Sequence, residues 1–418
     1  MRCAHIIPYM SMRAGGPVVV VDRLCGQIAR RGVEPVVVTT DAYGGPSDGS
    51  AQMSAAAMRY SGDYELYRCR SRFGRYAYSR ALTRVLGRVV PTCDLVHIHT
   101  LWTHSTAAAV RACQRHGVPY VVMPHGMLDP HARSRKALRK WLYGSLFEYP
   151  PIRAASGIVY TTREEQRLAE TLPGIRSGGP EGFVVPLGTD PPPGERSALA
   201  TSFVSTHPHL ASQRLVTFLG RVHEKKGVDL LVSAFAQVVS RVPDAHLLVV
   251  GPDEDGTWRR LEPRVNRLGL RPRVTRIDML VDEAKWSALA ASAVFVLPSY
   301  QENFAIAVAE ALRIGTPVVV SNRVNIWPAI TAAGAGLTVP CDAEILAGAV
   351  CAVLRDAPPT ELPGAAVQAS VGTAWRHMSN AAVNLARSRF DWHQSAEALL
   401  HVYERILSDG QTGKRAQG

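Results

Sequence analysis

Short apolar runs rich in valine and isoleucine recur along this chain, and several end in a glycine-bearing loop that opens a helix. Cys3 to Pro8 is such a run, and Ser11-Met-Arg-Ala-Gly-Gly-Pro17 turns after it. Val18 to Arg31 then reads as a helix stopped by Gly32, and Val36 to Thr40 as the next strand. Strand, glycine loop, helix, strand is a βαβ unit, which requires a parallel sheet. Asp94–His99, Tyr120–Met123, Ile158–Thr162 and Phe183–Asp190 continue the pattern as strands, with a helix over 163–172. Pro191-Pro-Pro-Gly194 interrupts it as a linker. The alternation then restarts. Arg214–Leu219, His246–Val250, a stretch near Val274 and Ala293–Leu297 read as strands. Val228–Val242 and Asp282–Ala291 read as helices, and Trp375–Leu407 as two amphipathic helices broken at Phe390-Asp-Trp392, ahead of a polar end expected to fray. The fold class is α/β, with two parallel-sheet domains of similar size.

A length of 418 residues accommodates two such cores. No apolar run reaches the roughly eighteen residues a bilayer span needs, and Met-Arg-Cys-Ala-His-Ile-Ile-Pro-Tyr lacks a signal peptide's apolar core. Seven scattered cysteines with no C-x-x-C fit a reducing cytosol and give no metal framework. The net charge of +12 is uneven. Arg59, Arg68, Arg70, Arg72, Arg75, Arg80, Arg84 and Arg88 face only Asp63 and Glu65. Arg133, Arg135, Lys136, Arg139 and Lys140 form a second cluster. With no nucleic-acid motif beside them, these patches suit an anionic membrane surface or a pyrophosphate-bearing acceptor, or are simply a solvated arginine-rich face.

The stretch from Pro298 to Val320 carries the chemistry. It reads as a strand end, a turn at Pro298-Ser299, a short helix, the stop Gly315 and a new strand. Glu302 falls at the helix entrance, and Glu310 follows with seven residues between them. On one continuous helix they would lie roughly 80° apart around the wheel and about 12 Å along the axis. Glu310 has Ile306, Ala307, Arg313 and Ile314 as neighbours and so needs a partner. That partner is either Arg313, with Glu302 as a cap, or a ligand carrying hydroxyls for the carboxylates and phosphate for the helix N-terminus. Gly220-Arg-Val-His-Glu-Lys-Lys-Gly227 is a basic loop bracketed by glycine. His125 directly follows a strand end, a position suited to proton or hydrogen-bond chemistry. Gly15-Gly16 allows backbone amides to approach a phosphate or sugar, or is an ordinary tight turn. His97, His99 and His104 lack a carboxylate or cysteine to complete a metal site and read as structural or acceptor-contact residues. Asp253-Glu-Asp255 reads as an acidic turn rather than a metal site.

Taken in order, Ala14-Gly-Gly-Pro17, Pro124-His-Gly-Met-Leu128, Gly220-Arg221…Lys226-Gly227, Glu302…Glu310, Gly315-Thr-Pro317 and Arg389-Phe-Asp-Trp392 cover nearly the whole chain. This set resembles the retaining family-four glycosyltransferases, and within them the bacterial exopolysaccharide and lipopolysaccharide branch. The resemblance implies a GT-B fold, two Rossmann-like domains with parallel sheets facing across a cleft. It places an acceptor-side domain at 1–190, a nucleotide-sugar domain at 195–390, and a helix over 391–418 returning to the first domain. Arg221 and Lys226, with Gly220 beside them, would hold the donor diphosphate. Amides of Asn303, Phe304 and Ala305 would face the phosphates, Glu310 the ribose, and Glu302 the transferred sugar. His125 would contact the sugar or position the acceptor, and Gly15 and Gly16 would line the acceptor side.

Two positions depart from the family pattern. Ala305 stands where glycine is usual, so that a methyl narrows the sugar pocket, and Asp278 replaces a glycine near the nucleotide base. The expected activity is hexose transfer from a UDP- or GDP-sugar to a glycan or polyprenyl-diphosphate-linked acceptor. It is expected to need no cofactor and no metal, and to take place in the cytoplasm with peripheral contact to the inner face of the plasma membrane. The rivals are a sugar-nucleotide epimerase of the same fold and a weakly active glycan-assembly partner.

Overall fold

The computed structural model of the chain describes residues 1–11, 15–42, 64–130, 149–172, 175, 179–360 and 372–415. Ala14, Arg59 and the basic cluster from Arg133 to Lys140 lie outside them. The chain divides into two compact units, Met1–Leu187 with Trp392–Gly418, and Gly188–Asp391. The division falls just ahead of Pro191-Pro-Pro-Gly194.

The first unit is built on β1 (Arg2–Tyr9), β2 (Glu34–Thr40), β3 (Glu65–Cys69), β4 (Leu95–His99), β5 (Tyr120–Met123), β6 (Gly157–Tyr160) and β7 (Gly182–Val184). They form one parallel sheet in the order β3-β2-β1-β4-β5-β6-β7. β1, β2 and β4 are buried along nearly their full length, as strands covered on both faces must be. β3 and the helix Arg80–Val89 were not expected, because they lie within the arginine-rich stretch. That helix buries Leu82, Val85, Leu86 and Val89, and exposes Arg80, Arg84 and Arg88. The strand expected over Phe183–Asp190 stops at Val184, since Pro186 offers no N–H to a ladder. The helix expected over 163–172 ends at Ala169. The last helix runs as far as Arg415. Trp392, Ala396, Leu399, Tyr403 and Ile406 are buried at helical spacing and anchor that last helix to its unit.

The second unit holds β8 (Arg214–Leu219), β9 (Ala245–Val250), β10 (Val274–Ile277), β11 (Val294–Leu297), β12 (Val318–Ser321) and β13 (Gly336–Val339). Their order is β10-β9-β8-β11-β12-β13, again all parallel. In each unit the chain winds outward from a central strand and then crosses to its other side. The reversal lies between β1 and β4 in one unit and between β8 and β11 in the other. The loops leaving the carboxyl ends of those strand pairs are where an open sheet leaves a ligand crevice. Beside the second reversal, Gly251 at φ +136° could not carry a side chain, because a Cβ would lie 1.9 Å from the Gly220 carbonyl oxygen. No helix among the described residues is long and apolar enough to cross a membrane.

Candidate active site

The loop after β8 and the loop after β11 are joined by backbone and side chains. Gly227 has φ +68°, and a Cβ there would sit 2.1 Å from the Pro298 carbonyl oxygen, so only glycine lets the two loops touch. Tyr300 N–H donates to the Lys225 carbonyl at 2.8 Å. Tyr300 Oη donates to Asp229 at 3.0 Å, and burial together with that carboxylate pushes the tyrosine hydroxyl up to about 12. Across this seam Lys226 Nζ bonds the Glu302 carboxylate. Arg221 is exposed and pairs with no carboxylate among the described residues. Arg221 and Lys226 lie on the loop that leaves the carboxyl end of β8, and the helix Ile306–Arg313 starts on the loop that leaves β11, so all three belong to the loops at the reversal point. The first amides of a helix have no partner inside it, so the arrangement can neutralise an anion with several negative oxygens.

The two carboxylates do not share a helix, so the wheel geometry expected for them does not apply. Glu302 precedes the helix in extended backbone, and bridges Val324 in parallel register. Its N–H donates to the Arg323 carbonyl at 2.9 Å, and its own carbonyl accepts from Asn325 N–H at 3.0 Å. It is therefore not a cap. Glu310 is helical and buried, but its partner is Lys285 at 2.5 Å and not Arg313. Arg313 instead pairs with Asp391 at 3.8 Å. Burial raises the Glu310 carboxyl above the usual range, while Lys285 opposes that shift. Lys285 was missed because it lies on the separate helix Asp282–Ala291, and nothing in sequence spacing links it to Glu310.

Asn303, Phe304 and Ala305 lead into the helix, with Phe304 buried edge-on against Phe390. Ala305 is the N-cap, at φ 61° and ψ 73°. This left-handed conformation costs a residue with a Cβ about 1–2 kcal/mol, a cost that glycine would not carry. Ala305→Gly is therefore expected to stabilise the protein by about 1 kcal/mol even after the added backbone entropy. The check is a urea midpoint that rises with an unchanged m-value, whereas a fall would mean that the strain is not there.

The other expected residues lie in the first unit. Gly15, at φ 91°, and Gly16 open the helix Gly16–Ala29 directly after β1, with Pro17 in its first turn. His125 follows β5 at φ 52°. The neighbouring Gly126 N–H donates to Glu165 Oε1 at 2.5 Å, and the other oxygen of Glu165 accepts from Thr161 N–H at 2.7 Å. A buried carboxylate thus fixes the loop that carries His125.

The histidines regroup. His104 stands apart from His97 and His99, with Ser79 N–H donating to its Nδ1 at 3.3 Å and Tyr78 packed against its ring. In its place comes His5, which sits opposite His97 in the register of β1 and β4. His99 shares their face because side chains alternate along a strand. His5 Nδ1 lies 3.0 Å from His99 Nε2, and His99 Nδ1 lies 3.1 Å from His125 Nε2. Tyr403 Oη reaches His97 Nδ1 at 2.6 Å and His5 Nε2 at 3.4 Å. Burial pulls His5 and His125 down to about 3, and burial with neighbouring rings holds His97 and His99 well below the ordinary histidine range. All four rings are neutral at pH 7. The nitrogens of His5, His97 and His99 are close enough to be tested as metal ligands. However, the His97 and His99 rings stack at 4.2 Å and 20°, so their in-plane lone pairs run in parallel layers and cannot meet at one ion.

The acidic turn is occupied with starting a helix. Asp253 accepts from Trp258 N–H at 2.9 Å, and Asp255 from Thr257 N–H at 3.2 Å and Thr257 Oγ1 at 2.7 Å. Asp278 is exposed and lies 3.7 Å from Arg276.

Comparison with known proteins agrees with this architecture. The family described as "Glycosyl transferase 4-like domain" matches residues 15–188, and "Glycosyl transferases group 1" matches 213–356. A D-inositol 3-phosphate glycosyltransferase of Mycobacteroides abscessus is 28% identical over 77% of this chain and 68% of its own length. A phosphatidyl-myo-inositol mannosyltransferase of Mycobacterium tuberculosis is 31% identical over 47% of this chain, and the match spans only 48% of that relative's length. Sucrose-phosphate synthase from Thermosynechococcus elongatus shares the fold with a TM-score of 0.74 at 21% identity, over 98% of this chain and 99% of that one. HepE from Anabaena, solved with UDP-glucose, shares it with a TM-score of 0.72 at 19% identity, over 97% and 100%. With both domain families matched in order over two parallel-sheet units, the chain belongs to the family-four, group 1 glycosyltransferases of GT-B fold, enzymes that transfer a sugar from a nucleotide sugar.

Proposed function

We propose that the protein is a retaining hexosyltransferase that draws on a UDP- or GDP-hexose. Arg221, Lys226, the Gly220 turn and the amides of Asn303, Phe304 and Ala305 hold the diphosphate, and Glu310 the ribose. Glu302 contacts the hexose, and in the first unit His125 meets a sugar hydroxyl while Gly15 and Gly16 serve the acceptor. In the reaction the bond from the anomeric carbon to the diphosphate oxygen breaks while the acceptor oxygen bonds the same carbon from the same face. The acceptor's proton passes to the departing diphosphate. The observation that supports this reading is the Lys226–Glu302 pair, which joins the loops after β8 and β11 at the reversal point of the second sheet, with Arg221 on the first of those loops and a helix start on the second. Fixed cations and amides aimed at a leaving diphosphate stabilise the charge it gains. Solved HepE holding UDP-glucose supports a uridine donor.

The acceptor in this reading is anionic. Arg70, Arg72, Arg80 and Arg84 are exposed around Phe73 and Tyr76, which are 76% and 40% exposed, a combination suited to a phosphate-bearing lipid at a membrane surface. Two acceptor classes follow: a polyprenyl-diphosphate-linked glycan of cell-surface polysaccharide synthesis, and an inositol phosphate or phosphoinositide, which the relatives' names favour. The test offers the protein UDP- and GDP-hexoses with each class and reads products by NMR. An α-linked product from an α-linked donor is expected with one class. Conversion of the nucleotide sugar to an epimer without acceptor would mean an epimerase instead.

A further inference from the structure

The histidine chain beneath His125 has a direction. A neutral imidazole has one N–H, and His99 uses both nitrogens on other histidines. If His99 carries its proton on Nε2, it donates to His5 Nδ1, and His125 must donate from Nε2 to His99. If the proton is on Nδ1, both neighbours reverse as well. The three rings therefore share one tautomer, and whatever fixes the far end fixes His125. That far end is Tyr403, whose single hydroxyl proton lies between His97, His5 and the Cys3 thiol. The 2.6 Å contact to His97 Nδ1 falls within the range of an O–H donor and below that of an N–H donor to oxygen. Tyr403 thus donates to His97 and has lone pairs left for His5 Nε2–H. The arrangement leaves His97 Nε2 as its one buried nitrogen without a partner among the described residues. Among the described residues the chain goes no further than His97, and what it passes to His125 is its direction.

We infer that Tyr403, acting through His5 and His99, is a positioning residue that holds His125 as the Nε2–H tautomer, so that His125 Nδ1 is offered as a hydrogen-bond acceptor to a sugar hydroxyl. The role of the tautomer rests on the reading that His125 meets the sugar, but its existence does not. A neutral acceptor nitrogen selects for a hydroxyl donor and has no attraction for phosphate. This assigns His125 to the sugar and leaves the diphosphate to Arg221 and Lys226.

The test is two-bond 1H–15N NMR of histidine-labelled protein, with the His125 signals assigned by comparison with His125→Asn. In the wild type, Nδ1 of His125 is expected to give an unprotonated-type signal and Nε2 a protonated one. The reverse pattern overturns the proposal without need of any variant. Tyr403→Phe keeps the ring and removes the hydroxyl. It is expected to turn His125 into a tautomer mixture and to lower kcat several-fold with little change in KM for the nucleotide sugar. An unchanged tautomer in Tyr403→Phe contradicts the proposal. So does a stoichiometric bound metal lost in His5→Ala, because the metal would occupy the same nitrogens. If the tautomer shifts while His125→Ala retains full turnover, the positioning holds and the sugar-contact reading fails.

Discussion

Acidification from pH 7 to 5 is expected to unfold the first unit well before the second. An unfolded histidine titrates near 6.5. His5 and His125 are pulled down to about 3, and His97 and His99 lie well below normal. Below 6.5 the unfolded chain binds protons that the folded one refuses, so the contribution of these groups is fully present above 6.5 and is lost as the pH falls toward 3. Each such ring removes up to about 1.4 kcal/mol per pH unit, and the four together up to about 5.5 kcal/mol per pH unit. A typical domain has only about 5–15 kcal/mol to lose. The second unit has His246 pulled to about 4, by burial first and then by His209 and Arg273. Pulsed hydrogen exchange after incubation at stepped pH checks this. Peptides covering Arg2–Tyr9 and Leu95–His99 should lose protection by about pH 5, while Arg214–Leu219 stays protected. Simultaneous loss in both units would contradict it.

Replacing Lys226 by alanine is expected to lower kcat/KM by about 10²–10³, the cost typical of removing one preorganised group that meets developing charge. Glu302→Ala should fall in the same range. The two are coupled because Lys226 neutralises Glu302 in the free protein. Without the lysine, the carboxylate confronts the diphosphate directly. The double variant should therefore bind nucleotide more tightly than Lys226→Ala alone, and its kinetic loss should be smaller than the sum of the single losses. Steady-state rates with intact folding by circular dichroism decide the matter. Near-wild-type turnover in both single variants would remove the site.

Much of this was legible in the chain because parallel strands buried on both faces read as apolar runs. The strands Tyr120–Met123 and Arg214–Leu219 fall where the runs placed them. Glycine signals also carried information, since Gly227 is required by the close approach of Pro298. What depended on pairing between distant segments was not legible. Lys285 for Glu310, Asp391 for Arg313, and His5 and Tyr403 for the histidine chain are each set by strand register or by a helix from elsewhere in the sequence. The position of Glu302 was misread because a four-residue lead-in ahead of Ile306 looks helical by composition, while the left-handed Ala305 delays the helix.

In the proposed reaction the second unit grips a nucleotide diphosphate through Lys226 and the residues around it. Calorimetric titration of the wild type and Lys226→Ala with UDP, GDP and the matching monophosphates tests that most directly. The expected result is that one diphosphate binds the wild type at least tenfold more tightly than its monophosphate, and that this advantage disappears in Lys226→Ala. Equal affinity for monophosphate and diphosphate, or a diphosphate advantage that survives in the variant, would contradict it.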